Sequence, residues 1–154
     1  MSAHQSQTVE AVIVGAGMAG LTLAHALAGA GIEVAVVDRV APVNFTDAAF
    51  DGRTTAIATG SANVLAGIGL WSDLAPKSCP IDTIRVSDGD SLMFLHFDHR
   101  EVGDDPMGYI LENRDIRGTL LAAAGASANI DLIAPATIEA VTRNPGGVSV
   151  RLDD

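Results

Sequence analysis

A glycine-rich segment near the start of the chain has the spacing that phosphate binding requires. Gly15, Gly17 and Gly20 form a G-x-G-x-x-G sequence, with Met18 and Ala19 between the last two glycines. In such a turn the first glycine permits the sharp change of direction, the second lets a pyrophosphate approach the backbone, and the third allows a helix to pack closely on a strand. The N–H groups at the helix start, together with the positive end of its dipole, can then bind a diphosphate.

The segments on either side predict that this turn joins a strand to a helix. Residues 9–14 form an apolar run typical of a buried parallel strand, residues 18–28 have a helical composition, and residues 32–37 form a second buried strand. Together they make a βαβ unit. Asp38 ends the second strand about 20 residues after the turn, where its carboxylate can accept hydrogen bonds from the ribose of a dinucleotide.

The βαβ unit alone does not distinguish FAD from NAD. Asp38 disfavours a 2′-phosphorylated nucleotide as the tightly bound ligand because two anions would be adjacent, although Arg39 weakens that argument. Three kinds of protein therefore remain open at this point. They are a flavoprotein, a nicotinamide-dependent dehydrogenase and a non-catalytic nucleotide-binding module.

The rest of the chain predicts further helices and strands around this unit. After an irregular segment at residues 41–52, we expect a helix at residues 54–66 and a β-hairpin at residues 81–99. A short strand at residues 109–111 and a helix at 115–126 follow, and three strands come last, at 130–133, 136–141 and 148–152.

Composition disfavours several other classes of function. The net charge of -10 opposes non-specific binding to nucleic acid or to an anionic membrane. No apolar run approaches the ~20 residues of a membrane span, and residues 1–10 lack the features of a signal peptide. The single cysteine, Cys79, indicates a reducing compartment, so we expect a cytoplasmic protein. We predict no metal site, because the histidines lack metal-ligand spacing; they are His4, His25, His96 and His99.

Two further segments carry a resemblance to a known family. They are DGRTTAIA at residues 51–58, which continues to Trp71, and GYILENRDIR at residues 108–117. Both are similar to signatures of the FAD-dependent aromatic hydroxylases, and most of all to the branch that hydroxylates ubiquinone precursors. With the βαβ unit included, the resemblance covers residues 9–152.

The resemblance implies a cofactor and a reaction. FAD would be bound, NAD(P)H would be the transient reductant, and O2 would supply the oxygen added to a small aromatic substrate, a polyprenylated phenol or quinol. Arg53 would lie near the FAD pyrophosphate and flavin edge, and Asn113 or Arg114 on the ribityl and phosphate portion. A guanidinium at the start of the predicted helix offers planar donors to a diphosphate. No catalytic acid or base is predicted, because the cofactor carries the chemistry.

The resemblance also predicts the domain organisation. We expect an α/β fold with a Rossmann-like FAD-binding βαβ domain and a parallel sheet, plus a β-hairpin that belongs to a substrate domain. Residues 1–80 would form the FAD-binding βαβ region, residues 81–100 the hairpin, and residues 101–154 the continuation of the FAD-binding domain. A later Asp-Gly signature of the family is missing from the sequence, so we expect a longer parent enzyme and a chain that alone is inactive and binds FAD weakly or not at all. Self-association through the hairpin and a peripheral membrane contact through regions outside the chain are further expectations.

Overall fold

The chain divides into two compact units. The computed structural model describes residues 6–42, 53–89 and 92–153. The first unit comprises residues 1–49 and 120–154, and the second comprises residues 50–119. Most of the irregular segment predicted for residues 41–52 therefore lies outside the described residues, as do residues 90 and 91 of the predicted hairpin. The assignment of residues 1–80, 81–100 and 101–154 to separate functional regions stays a prediction.

The described residues form ten strands and four α-helices. In chain order they are β1 (Ala11–Val14), α1 (Met18–Gly29), β2 (Val34–Val37), β3 (Thr54–Ala58), α2 (Thr59–Gly67), α3 (Trp71–Leu74), β4 (Cys79–Ile81), β5 (Thr83–Ser87), β6 (Phe94–Asp98), β7 (Gly108–Glu112), α4 (Asn113–Ala126), β8 (Ile130–Ile133), β9 (Ile138–Asn144) and β10 (Gly147–Leu152).

The first unit contains a parallel sheet with the strand order β1-β2-β8. Helix α1 connects β1 to β2, so the predicted βαβ unit is confirmed. All four residues of β2 are buried, as expected of a strand with a neighbour on each side. In β1, however, Val12 is 41% and Val14 is 69% exposed. The prediction that the first strand is buried is wrong, because its side chains alternate between two faces and only those of Ala11 and Ile13 are partly buried.

The second unit contains an antiparallel sheet with the order β3-β7-β4. Strand β3 occupies the start of the segment for which a helix was predicted, and α2 begins only at Thr59. The predicted helix is therefore wrong for residues 54–58 and right from Thr59 onwards. The β-branched side chains of Thr54, Thr55 and Ile57 favour an extended backbone, and pairing with β7 outweighs the helix propensity of the neighbouring alanines.

The predicted β-hairpin forms from β5 and β6. Ile84 pairs with Phe97 and Val86 with Leu95, which places these four side chains on one face. All four are exposed. On the other face the guanidinium of Arg85 lies 4.2 Å from the ring centroid of Phe94. The assignment of the hairpin to a substrate domain and the expected self-association stay predictions.

Each unit has its own apolar core. The first includes Leu21, Ala24, Val34, Val36, Leu120 and Ile130. The second includes Ile57, Leu65, Leu74, Leu111 and Ile116. Within the described ranges, no helix has both the length and the apolar composition needed to cross a bilayer.

Candidate functional site

In the glycine turn between β1 and α1, two glycines could not be replaced by another residue without a change in the backbone. Gly15 has a φ of +107°, which residues with a side chain rarely adopt. Its N–H donates to the carbonyl of Val37 at 2.7 Å, so the turn begins while still bonded to β2. A Cβ at Gly20 would overlap the carbonyl oxygen of Gly15. The roles predicted for the first and third glycines, the tight turn and the close packing, are therefore confirmed.

The middle glycine borders open space at the start of α1. Gly17 has φ -73° and ψ 177°, a conformation available to any residue, and a Cβ here would meet no atom of the described residues within 4 Å. Among the described residues no side chain caps α1, and the first turn of this helix has no acidic residue. The first helical hydrogen bond runs from the N–H of Leu21 to Gly17, at 2.9 Å. The N–H groups of Met18, Ala19 and Gly20 thus have no acceptor within the helix, and together with its dipole they fit an anionic group.

Asp38 lies beside this turn, as predicted. One carboxylate oxygen, Oδ2, accepts the N–H of Ala16 at 2.6 Å, and Oδ1 accepts that of Val40 at 2.8 Å. The backbone N–H of Asp38 donates to Ile133 at 3.1 Å, and its carbonyl accepts from Ala136 at 2.8 Å. Asp38 is therefore fixed where the carboxyl ends of β1, β2 and β8 meet, the edge at which open α/β sheets bind ligands. Its contact with a ribose stays a prediction.

The predicted arginines lie in different places. Arg39 is exposed and directly follows Asp38 in the first unit. Arg53 is exposed in the second unit and directly precedes β3. Its expected position at the start of a helix is wrong, because residues 54–58 pair as a strand with β7.

Asn113 and Arg114 begin α4, two residues earlier than predicted. Asn113 is only 7% exposed, and its Oδ1 accepts the hydroxyl of Thr55 at 2.6 Å. Its backbone N–H donates to the carbonyl of Arg53 at 3.1 Å. Arg114 is half exposed, and its Nε lies 2.5 Å from Oε2 of Glu112. The structure thus brings Arg53 and Asn113 together, whereas Arg114 is engaged with an acidic neighbour.

Three residues of these arrangements escaped the sequence reasoning. They are Ala16, whose N–H binds Asp38, Thr55, whose hydroxyl binds Asn113, and Gly108 of β7. A Cβ at Gly108 would lie 2.5 Å from the carbonyl oxygen of Ile57. A contact made by a backbone N–H does not depend on the residue type, so the sequence does not reveal it. The need for glycine at position 108 depends on its neighbour in β3, which the sequence alone does not identify. The spacing of Thr55 and Ile57, two β-branched residues two apart, was the signal that could have revealed β3.

Comparison with known proteins finds a matching family and several relatives. Residues 8–154 match the FAD binding domain family. The chain is 43% identical over 148 residues to the ubiquinone hydroxylase UbiL of Rhodospirillum rubrum, a match that covers 96% of the chain and 34% of that protein. It is 30% identical over 141 residues to the 3-demethoxyubiquinol 3-hydroxylase of Escherichia coli, covering 90% of the chain and 36% of that protein. The chain thus spans about a third of the length of these curated relatives.

Solved structures share the fold at low sequence identity. PqsL of Pseudomonas aeruginosa, a probable FAD-dependent monooxygenase, superposes with a TM-score of 0.73 at 23% identity, covering 94% of this chain and 38% of that one. The p-nitrophenol 4-monooxygenase PnpA of Pseudomonas putida superposes with a TM-score of 0.73 at 18% identity, covering 96% and 40%. The uncapped glycine turn and Asp38 lie within residues 8–154, which match the family. Because the family match covers nearly the whole sequence, this chain belongs to the FAD binding domain family.

Proposed function

We propose that this chain is the FAD-binding part of a monooxygenase that hydroxylates the ring of a polyprenylated phenol or quinol in ubiquinone biosynthesis. NAD(P)H is its transient reductant, and O2 supplies the oxygen. The observation that carries the proposal is the 43% identity, over 96% of the chain, to a protein named as a ubiquinone hydroxylase. The relative named as a 3-demethoxyubiquinol 3-hydroxylase supports the same substrate class.

In this proposal the glycine turn holds the diphosphate of FAD. Gly15 and Gly20 shape the turn, Gly17 leaves room for the pyrophosphate, and the N–H groups of Met18 and Ala19 donate to its oxygens. A local site of this kind is needed because the overall charge of -10 repels phosphate at long range.

Asp38 is proposed to accept hydrogen bonds from the adenosine ribose. Each of its carboxylate oxygens already accepts one backbone N–H, and each has a further lone pair for a ribose hydroxyl. Arg39, next in the chain, is exposed and is proposed as a nearby cofactor contact. A ribose bearing a 2′-phosphate would place a second anion against Asp38, so FAD suits this residue better than NADP as the tightly bound ligand.

Arg53, Asn113 and Arg114 are proposed as the further FAD contacts of the second unit. Arg53 would serve the pyrophosphate and flavin edge, and Asn113 or Arg114 the ribityl and phosphate portion. Arginine and asparagine both offer N–H donors to these oxygen-rich groups. Bound FAD supplies the redox chemistry, and these residues bind and orient it.

The proposal is tested on the purified protein that carries this chain. We expect flavin absorbance after purification or after addition of FAD, and consumption of NAD(P)H that accelerates when a polyprenylated phenol is added. Mass spectrometry with isotopically labelled O2 then shows one labelled oxygen in the product. Binding of NAD without FAD, or NAD(P)H consumption that yields no labelled product, would contradict the proposal.

The proposed substrate also suggests where the protein works. A polyprenyl chain is apolar and dissolves in membranes, so a cytoplasmic enzyme that acts on it needs a peripheral contact with a bilayer. Co-sedimentation with vesicles that contain the polyprenylated phenol tests this contact. Vesicles without the phenol are the control, and protein that stays in the supernatant in both cases would argue against it.

A further inference from the structure

A buried hydrogen bond joins two elements of the second unit. Asn113, at the start of α4, is 7% exposed and accepts the hydroxyl of Thr55 in β3 at 2.6 Å. Thr55 lies opposite Leu111 in the ladder between β3 and β7, so it is the diagonal neighbour of Asn113. Threonine is β-branched and stiff at χ1, so its hydroxyl has a well-defined direction.

The same corner fixes the backbone of Arg53. The N–H of Asn113 donates to the carbonyl of Arg53 at 3.1 Å, which extends the β3–β7 ladder by one bond beyond Thr54 and Glu112. Asn113 thus holds the residue before β3 with its backbone and the second residue of β3 with its side chain. These two bonds enclose a segment of three residues that begins at Arg53.

From these contacts we infer that Thr55 is a positioning residue for FAD binding, acting through Asn113 and Arg53. The hydroxyl of Thr55 donates to Oδ1 of Asn113, which fixes the end of the amide that faces Thr55 and leaves the NH2 end to donate to a ligand. Asn113 then presents hydrogen-bond donors, which suit the phosphate and ribityl oxygens of the cofactor. The inference rests on the proposed function, and it adds a residue that does not itself touch FAD.

Variants of two adjacent threonines test the inference. Thr55→Val keeps the shape and the β propensity of the side chain and removes the hydroxyl, whereas Thr55→Ser keeps the hydroxyl. Thr54→Val is the matched control, because Thr54 belongs to the same strand and its side chain is exposed. Asn113→Asp keeps an oxygen that can accept from Thr55 and replaces the NH2 with an anionic oxygen.

The measurements are the dissociation constant of FAD, from flavin fluorescence, and the melting temperature of the protein without FAD. We expect Thr55→Val to weaken FAD binding by about tenfold, because the amide of Asn113 is no longer held in one orientation. Thr55→Ser and Thr54→Val stay within about twofold of the wild type, and Asn113→Asp loses at least about tenfold. We expect Thr55→Val to melt below Thr54→Val, because only Thr55→Val removes a hydrogen bond from the buried Asn113.

The possible outcomes distinguish a failure of this inference from a failure of the proposed function. Wild-type affinity in Thr55→Val, or equal losses of affinity in Thr55→Val and Thr54→Val, would overturn the positioning role. The same holds for wild-type affinity in Asn113→Asp. A wild-type protein that binds no FAD would instead overturn the proposed function, and the inference with it.

Discussion

Replacing two glycines of the same turn is expected to damage the protein in different ways. A Cβ at Gly20 would overlap the carbonyl oxygen of Gly15, and a backbone atom cannot move aside as the end of a side chain can. Overpacking of this kind costs about 1–3 kcal/mol. In a chain of this length each kcal/mol lowers the melting temperature by roughly 2–4 °C. We therefore expect Gly20→Ala to melt roughly 2–12 °C below the wild type.

Gly17→Val is expected to leave the fold nearly unchanged and to remove FAD binding. The backbone of Gly17 is extended, with φ -73° and ψ 177°, and a Cβ there would meet no described atom within 4 Å. Loss of glycine at the N-cap costs less than about 1 kcal/mol. A valine side chain would, however, occupy the space proposed for the pyrophosphate. We expect FAD affinity to fall at least about a hundredfold, which corresponds to about 2.7 kcal/mol.

The assay compares the two variants by two measurements. Thermal unfolding without FAD reports the fold, and flavin fluorescence during an FAD titration reports the site. Gly17→Ala serves as a milder control, with an intermediate loss of affinity and a melting temperature near that of the wild type. Normal FAD affinity in Gly17→Val would refute the proposed diphosphate position. A Gly20→Ala variant that melts like the wild type would refute the packing argument.

Three further variants address other parts of the structure. Asp38→Ala removes the acceptor of the Ala16 N–H, and we expect the free energy of unfolding in urea to fall by about 1–3 kcal/mol; an unchanged value would mean that the turn holds its shape unaided. Gly108→Ala places a Cβ 2.5 Å from a carbonyl oxygen of β3, so we expect the free energy of unfolding in urea to fall by about 1–3 kcal/mol. Wild-type stability would contradict this close approach. Hydrogen bonds from the side chain of Arg100, and secondarily from its backbone N–H, hold the pKa of Asp98 well below its ordinary value. The stability that this contact contributes is therefore fully present above the ordinary pKa and is lost as the pH falls through the lowered pKa. In Arg100→Ala we expect the pKa of Asp98 to return towards its ordinary value in an NMR titration, and a pKa that stays low would assign the shift to another cause.

The βαβ unit could be predicted from the sequence because local signals agree there. The apolar runs, the three glycines and Asp38 lie within one short stretch, and each is explained by the same turn. Strand β8 was also predicted with its correct bounds, Ile130–Ile133. The partner of β8 was not predictable from its own residues, since pairing with β2 joins segments far apart in the chain.

The second unit was harder to predict because its strands depend on distant partners. Residues 54–58 contain alanines that suit a helix, and only pairing with β7 makes them a strand. Arg53 consequently leads into a strand. Asn113 was chosen for its resemblance to a family signature, but its bond with Thr55 follows from the register of β3 and β7. A single sequence does not specify that register.

The strand order of the first unit has a consequence for folding during synthesis. Strand β2 leaves the ribosome with β1 as a neighbour, but its other neighbour, β8, begins only at Ile130. The whole of the second unit, residues 50–119, is made in between. That unit can complete its own contacts while one edge of β2 still has no strand beside it, and closing so long a loop is slow. The nascent chain therefore carries an open, apolar strand edge until β8 is made, and during this stage aggregation competes with folding.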